Sequence, residues 1–358
     1  MKAKRLLNLM GDKLHTLPLV VLYLTDGCNS RCVTCDIWRS PRRNMRRDLV
    51  EQIASTCADL QVRWVLLSGG EAMQHPHWPQ IARRFRDEGV HVMLLTNGLL
   101  LRKQADDLVG NVDEVIVSLD GGTAATYDAI RGVDAFDLVL EGICAVRERG
   151  LPVTTRTTVQ RMNFREIPQI IEAARSSDVN QISFLAVDVS NEFAFGPRFT
   201  ADASLMPLTQ IPAPDQSNAL SKDDVDELTQ ILDEVEVRFA AEFASGRLTE
   251  SPQKLRRILA DYFKALNGEG DFQRPRCNAP HFSTVIEVDG TLRPCYFLPS
   301  YGKIQSNNGA TVVNSSVQQQ LNTDTAQALR RAYRTGQRPE CERCVCPLYK
   351  GPRSLLGI

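Results

Sequence analysis

The chain lacks the features that would send it to a membrane or to nucleic acid. Residues 1–16 carry Lys and Leu but no long apolar run and no small-residue cleavage site, so neither a signal peptide nor a membrane anchor is expected. The formal net charge is only -1 over 358 residues, which excludes a whole-molecule attraction to nucleic acid or an anionic bilayer. There is no internal repeat, heptad array or low-complexity tract. What is present is a globular composition, 43% hydrophobic, with ten cysteines. That suffices for one large core and a smaller appended unit. Without an export signal the cysteines belong in a reducing cytoplasm, where they read as metal or cluster ligands more readily than as disulfides.

Cys28, Cys32 and Cys35 form a C-x3-C-x2-C run directly after the apolar stretch Leu17–Leu24. Three thiolates can each hold one iron of a four-iron, four-sulfur cube and leave the fourth iron open to an exogenous molecule. An electron-carrying ferredoxin closes all four positions with Cys in tighter spacings. The same three residues also read as a zinc site or as buried small hydrophobes. Zinc needs a fourth ligand at short range, and no His or Cys follows Cys35 before Cys57. Cys57 and Cys144 fall on apolar helix faces and are expected to pack in the core. His75 and His77 flank Pro76 in a loop and are assigned no role.

Apolar runs alternate with amphipathic helical stretches through the first half, as repeated strand-helix units of a parallel sheet require. The expected strands are Leu17–Leu24, Val62–Leu67, Val90–Leu95, Glu114–Leu119, Val153–Val159 and Gln181–Val187. Helices are expected near Asp48–Leu60, Trp78–Glu88, Leu100–Val109, Phe136–Arg149 and Phe164–Ser176, the first with Asp48 as N-cap and Glu51 in capping-box spacing. Three polar motifs follow three of these strands: Ser68-Gly69-Gly70-Glu71, Thr96-Asn97-Gly98 and Ser118-Leu119-Asp120-Gly121. Strand C-terminal ends are where parallel α/β barrels place their active sites. Glycines there let backbone approach a ligand closely. The run Arg39, Arg42, Arg43, Arg46 and Arg47 reads as a solvated surface loop; a channel for an anionic substrate or a docking patch for an acidic electron donor is the sharper alternative.

The cysteine run and the three motifs, in this order, resemble the radical S-adenosylmethionine (SAM) superfamily. The resemblance implies an α/β fold, a partial (β/α)6 TIM-like barrel, with a 4Fe-4S cluster held by Cys28, Cys32 and Cys35 and SAM on its open iron. It implies cofactor contacts from Gly69, Gly70 and Glu71 to the methionine part of SAM, and from Thr96 and Ser118 at strand ends. Glu71 supplies a carboxylate suited to the methionine ammonium. Arg156, in the fifth strand, is a candidate partner for the SAM carboxylate if it faces inward, and a solvated strand-end residue otherwise. The chain departs from the family pattern at Thr34, where an aromatic usually precedes the third Cys; Trp38 lies close in sequence.

A second cysteine group lies at the C-terminal end. Cys277 precedes an expected hairpin, Ser283–Val288 and Thr291–Phe297 around Asp289-Gly290, and Cys295 sits on its return strand. Cys341, Cys344 and Cys346 follow in C-x2-C-x-C. Four such thiolates can converge on one metal centre, as zinc ribbons also do. The C-x12-G-x4-C stretch from Cys277 through Gly290 to Cys295 resembles the opening of the SPASM and Twitch extensions that hold auxiliary 4Fe-4S clusters. The full SPASM pattern needs seven Cys and five are present, so the resemblance implies a Twitch-like unit with one auxiliary cluster ligated by Cys277, Cys295, Cys341 and Cys344, Cys346 being surplus.

The expected organisation is therefore an N-terminal extension (1–16), a core barrel (17–190), a linker and helical region (191–275) and a small hairpin-plus-helix cluster-binding subdomain (276–358). The expected activity is reductive cleavage of SAM to a 5′-deoxyadenosyl radical, which abstracts hydrogen from a small-molecule or peptide substrate for oxidation or rearrangement. A flavodoxin- or ferredoxin-type donor supplies the electron. Modification of a ribosomal peptide is the alternative, and the short N-terminus leaves no room for a fused leader-binding domain. From another class, a non-catalytic scaffold with structural zinc competes; intact Cys28, Cys32, Cys35 and Gly69-Gly70-Glu71 weigh against it.

Overall fold

The structure, a computed structural model, describes residues 4, 7, 8, 10–189, 217–273, 277–296, 298–305, 317–338 and 341–349. The linker expected over 191–216 lies outside the described residues. Six strands alternate with helices: β1 (Leu19–Thr25), β2 (Trp64–Gly69), β3 (His91–Thr96), β4 (Glu114–Ser118), β5 (Val153–Val159) and β6 (Gln181–Ala186). Each pairs in parallel with the next in sequence. The helices that cover them include α1 (Arg47–Ala54), α2 (Trp78–Asp87), α3 (Ala105–Leu108), α4 (Ala124–Arg131), α5 (Phe136–Glu148) and α6 (Ile167–Ser176).

Alternation along the strands separates two environments. Val65, Leu67, Val92, Leu94, Val115 and Val117 belong to the main buried core, the helix-facing side. Their neighbours Leu66, Met93, Leu95, Ile116 and Ser118 are half-buried and line the concave face. At the strands' N-terminal ends that face is closed by Leu19, Phe282, Trp64, Met93 and Leu348, which pack together.

The expected hairpin forms as β7 (Ser283–Ile286) and β8 (Thr291–Arg293), with β9 (Gly302–Lys303) beyond it. Its turn is set by Gly290, whose φ of +88 favours glycine. The hairpin does not stand apart from the barrel. β7 pairs in parallel with β1, Leu19 opposite Ser283 and Leu22 opposite Ile286. The result is one nine-stranded sheet in the order β6-β5-β4-β3-β2-β1-β7-β8-β9, its last two pairings antiparallel.

Between barrel and hairpin, a helix over Lys222–Arg238 starts with a full capping box from Ser221 and Asp224. The helical stretch from Pro252 to Leu266 is interrupted by a π-helical turn at Arg257–Asp261. Among the described residues no helix is long and apolar enough to cross a membrane.

Candidate functional site

The three cysteines lie on a loop that leaves β1 and returns beside it. Asp26 N–H donates to Arg43 O at 3.0 Å and Met45 N–H to Leu24 O at 2.7 Å, so the two ends of the loop are paired. Arg43 also binds the Asp26 carboxylate, Nε to Oδ2 at 2.7 Å. The expected cap at Asp48 is not made: the N-cap of α1 is Arg46, two residues earlier, and the Asp48 carboxylate is taken by the Arg46 guanidinium at 3.0 and 2.9 Å.

Two of the three strand-end motifs are tied directly to this loop, and the third is joined to α4 through Asp120 and Arg131. Gly70 N–H donates to Thr25 O at 2.7 Å and Glu71 N–H to Gly27 O at 2.9 Å. The two glycines are required first by this contact: a Cβ on Gly69 would stand 2.4 Å from Thr25 O, and one on Gly70 2.3 Å from Gly27 O. Asn97 Nδ2 reaches Asn29 Oδ1 at 2.7 Å and Ser30 Oγ at 2.9 Å, with the Cys28 sulfur at 3.8 Å. The carboxyl end of α4 receives the loop's other side, Arg31 N–H on Arg131 O at 2.9 Å and Val33 N–H on Ile130 O at 3.0 Å. These are helix-terminal carbonyls that the helix itself leaves unpaired.

Glu71 is buried within this construction. Its Oε1 accepts from Met73 N–H at 3.0 Å and Thr96 Oγ1 at 2.9 Å, and Oε2 accepts from Asn97 N–H at 2.7 Å. A carboxylate has about four lone-pair positions, so these bonds leave room for roughly one further donor. Burial pushes its pKa up, against the hydrogen bonds that stabilise the charge. Thr96 is likewise engaged, donating to Glu71 and accepting from Gly98 N–H at 3.0 Å. The sequence pattern singles out Thr96, whereas Asn97 makes the contacts to the loop. The Asx chemistry of the Thr-Asn-Gly triplet was the available signal.

Ser118 and Arg156 are register partners on adjacent strands, and Arg156 is opposite Ser183. Arg156 is exposed on the concave side, with Nη2 3.4 Å from Ser183 Oγ. Trp38 is half-buried, with the Arg39 guanidinium 5.0 Å over its ring and its own indole N–H buried without a hydrogen-bond partner. His75 is buried and structural: Nε2 meets Met45 O at 3.1 Å while Nδ1 accepts from His77 N–H. Cys57 is buried as expected, whereas Cys144 is only half-buried.

Burial pushes the Cys28 thiol up to about 11 and raises Cys32 as well, while Arg131 beside them acts in the opposite sense. A metal that binds these sulfurs displaces their protons.

The five C-terminal cysteines come together in the same way. Cys295, Cys344 and Cys346 pack against the core. Burial raises the Cys344 thiol well above its ordinary value, and Cys346, Cys295 and Cys277 nearby raise it further. Tyr333 donates its hydroxyl to Cys277 O, and Cys277, Cys341 and Cys344 are the sulfur groups around that hydroxyl. No disulfide forms among the ten cysteines. No three His, Cys, Asp or Glu side chains among the described residues are gathered closely enough for a single metal ion. A cube that gives each thiolate its own iron spaces its ligands more widely than one tetrahedral ion does.

Comparison with known proteins bears on both cysteine groups. Residues 22–174 match the model of the radical SAM superfamily, and residues 277–345 match that of an iron-sulfur cluster-binding domain, SPASM. The AdoMet-dependent heme synthase of Methanosarcina barkeri is 34% identical over 163 residues, 44% of this chain and 47% of that protein. The Fe-coproporphyrin III synthase of the same organism is 30% identical over 177 residues, 47% of this chain and 43% of that protein. The chain thus spans about half the length of the curated relatives it matches. Among solved structures, Streptococcus suis SuiB bound to S-adenosylmethionine superposes with a TM-score of 0.60 at 12% identity, covering 100% of this chain and 81% of SuiB. The structure of anSMEcpe with bound AdoMet and the Kp18Cys peptide gives 0.62 at 16%, covering 92% and 89%.

Proposed function

This chain belongs to the radical SAM superfamily, and on that premise we propose that it cleaves SAM reductively and uses the resulting radical to take hydrogen from a substrate held on the concave face of its barrel. The observation that carries this reading is the convergence of the Cys28/Cys32/Cys35 loop with the strand-end motifs of β2 and β3 and the carboxyl end of α4 at one end of a parallel sheet. A four-iron cube with one iron free of protein ligands, together with SAM, supplies one-electron scission of a carbon-sulfur bond and a 5′-deoxyadenosyl radical.

Everything else is done by the chain. Cys28, Cys32 and Cys35 provide three thiolates from a loop whose ends are pinned. Gly69 and Gly70 bring backbone polar groups of β2 beside that loop, and Glu71 locks β2 to β3 through Thr96 and Asn97 while keeping an acceptor position for the methionine ammonium. The orphaned Trp38 indole N–H and the exposed Arg156 guanidinium are donors suited to the adenine and carboxylate ends of SAM. Ser118 stands beside Arg156 on the same face. Leu66, Met93, Leu95 and Ile116 give the lumen an apolar wall that a short-lived radical requires.

Cys277, Cys295, Cys341 and Cys344 hold one auxiliary 4Fe-4S cluster that accepts or relays an electron from the substrate radical, Cys346 being surplus. The substrate is a small molecule or a peptide, the reductant a flavodoxin- or ferredoxin-type protein, and the compartment the cytoplasm. The units are the barrel over 17–190, the linker and helical region over 191–275, and the auxiliary unit from 276.

The test is anaerobic purification with iron, sulfide and zinc analysis. The reading expects about eight iron and eight sulfide per chain and 5′-deoxyadenosine on reduction with SAM. Zinc in place of iron, with intact SAM, would overturn it.

A further inference from the structure

Arg131 ends α4 in the interior, with its side chain only 11% exposed. Nη1 donates to Asp120 Oδ2 at 2.9 Å. Nε, in contrast, is buried and has no hydrogen-bond partner. A buried, charged donor without an acceptor is uncommon in a native interior and needs an account. The other Asp120 oxygen accepts Thr158 N–H at 2.8 Å. The titratable side chains beside the guanidinium are Cys32, Asp120 and Tyr127. Of these, Cys32 is held close by the backbone: its neighbour Arg31 donates its N–H to Arg131 O at 2.9 Å.

We propose that Arg131 is a positioning residue for the cluster on Cys28, Cys32 and Cys35: its Nε–H is reserved for a sulfur of the loaded site, and its charge raises that cluster's reduction potential. The inference rests on the function proposed above. Reduction brings one electron from the external flavodoxin- or ferredoxin-type donor and adds one negative charge to the cluster, with no atom transferred. A buried cation and an N–H aimed at sulfur both favour the reduced state. Their effect is strengthened where water is excluded. Asp120 tempers the charge and fixes the plane of the guanidinium. Only a planar fork can hold a carboxylate with one nitrogen while presenting another elsewhere, so Lys is not an equivalent.

The experiment is an EPR-monitored redox titration of the full-length, reconstituted protein, following the signal that changes when SAM is added. Arg131→Gln is expected to keep its iron and to lower the midpoint by about 59 mV or more, a tenfold change in a one-electron equilibrium. Arg131→Lys, which keeps the charge, falls between Gln and wild type. An Arg131→Gln protein with full iron and a wild-type midpoint overturns the proposal. Should Arg131→Gln fail to load iron, Asp120→Asn decides: it leaves the cation unbalanced and must raise the midpoint, and an unmoved or lowered value overturns the proposal. A wild-type chain that takes up no cluster would defeat the functional reading instead.

Discussion

Replacing Gly70 with Ala tests whether the site is built on contact between the end of β2 and the cysteine loop. The new Cβ would stand 2.3 Å from Gly27 O, 2.7 Å from Gly27 C and 3.0 Å from Asp26 O. All three are backbone atoms, so no flexible side chain can yield. Forcing extra volume into a packed site costs about 1–3 kcal/mol. The loop can relieve the clash only by moving away, which breaks the bonds from Gly70 N–H to Thr25 O and from Glu71 N–H to Gly27 O. Each is worth about 0.5–1.5 kcal/mol, so the total lies at roughly 2–6 kcal/mol. Gly150→Ala is the control: its φ is +77 but nothing lies within 4 Å of its Cβ, so it costs about 1–2 kcal/mol of backbone strain and leaves the loop alone. Urea unfolding and iron content of the reconstituted proteins give the answer. Gly70→Ala is expected to lose both stability and iron, and Gly150→Ala stability only. A Gly70→Ala protein with the wild-type midpoint and iron content would refute the reasoning.

Asn97→Ala removes the donors to Asn29 and Ser30. It is expected to cost about 1–3 kcal/mol through the acceptors it strands and to speed iron loss to a chelator, measured by absorbance. Burial pushes the Cys57 thiol up to about 12. A group whose folded pKa is raised contributes stability below its unfolded value, about 8.5, and loses it as pH climbs toward the folded value. The melting temperature of the metal-free protein should therefore fall between about pH 9 and 12, and less steeply in Cys57→Ala; identical profiles would contradict the burial argument. Replacing Cys277 and Cys295 together with Ala should halve the iron content, from about eight to about four per chain, by colorimetric assay, while cleavage of SAM persists.

Much of this was legible in the sequence because the strands are short apolar runs ended by polar or glycine motifs. The expected second strand stops at Leu67, whereas β2 continues through Ser68 to Gly69, and that glycine is the residue through which β2 touches the loop. The helix Ala124–Arg131 was not expected, although Thr123 caps it and Gly132, at φ +67, ends it. Eight residues with few large apolar side chains give a weak period. Leu100–Val109 contracted to Ala105–Leu108, because the backbone after Gly98 is drawn into turns by Asn97 and Gly98. The hairpin and its turn were readable, but its parallel pairing with β1 was not, since local alternation carries no information about a partner more than 250 residues away. For the same reason Glu71 read as a ligand, while its bonds to Thr96 and Asn97 make it also a link between strands.

The central claim is that three thiolates from one loop leave an iron open for SAM. It is tested most directly by reductive cleavage of SAM in the anaerobic Cys32→Ala protein, with 5′-deoxyadenosine measured by chromatography. The account predicts that 5′-deoxyadenosine formation falls to the level of the no-enzyme control while the auxiliary iron is retained. Formation at the wild-type rate would contradict it.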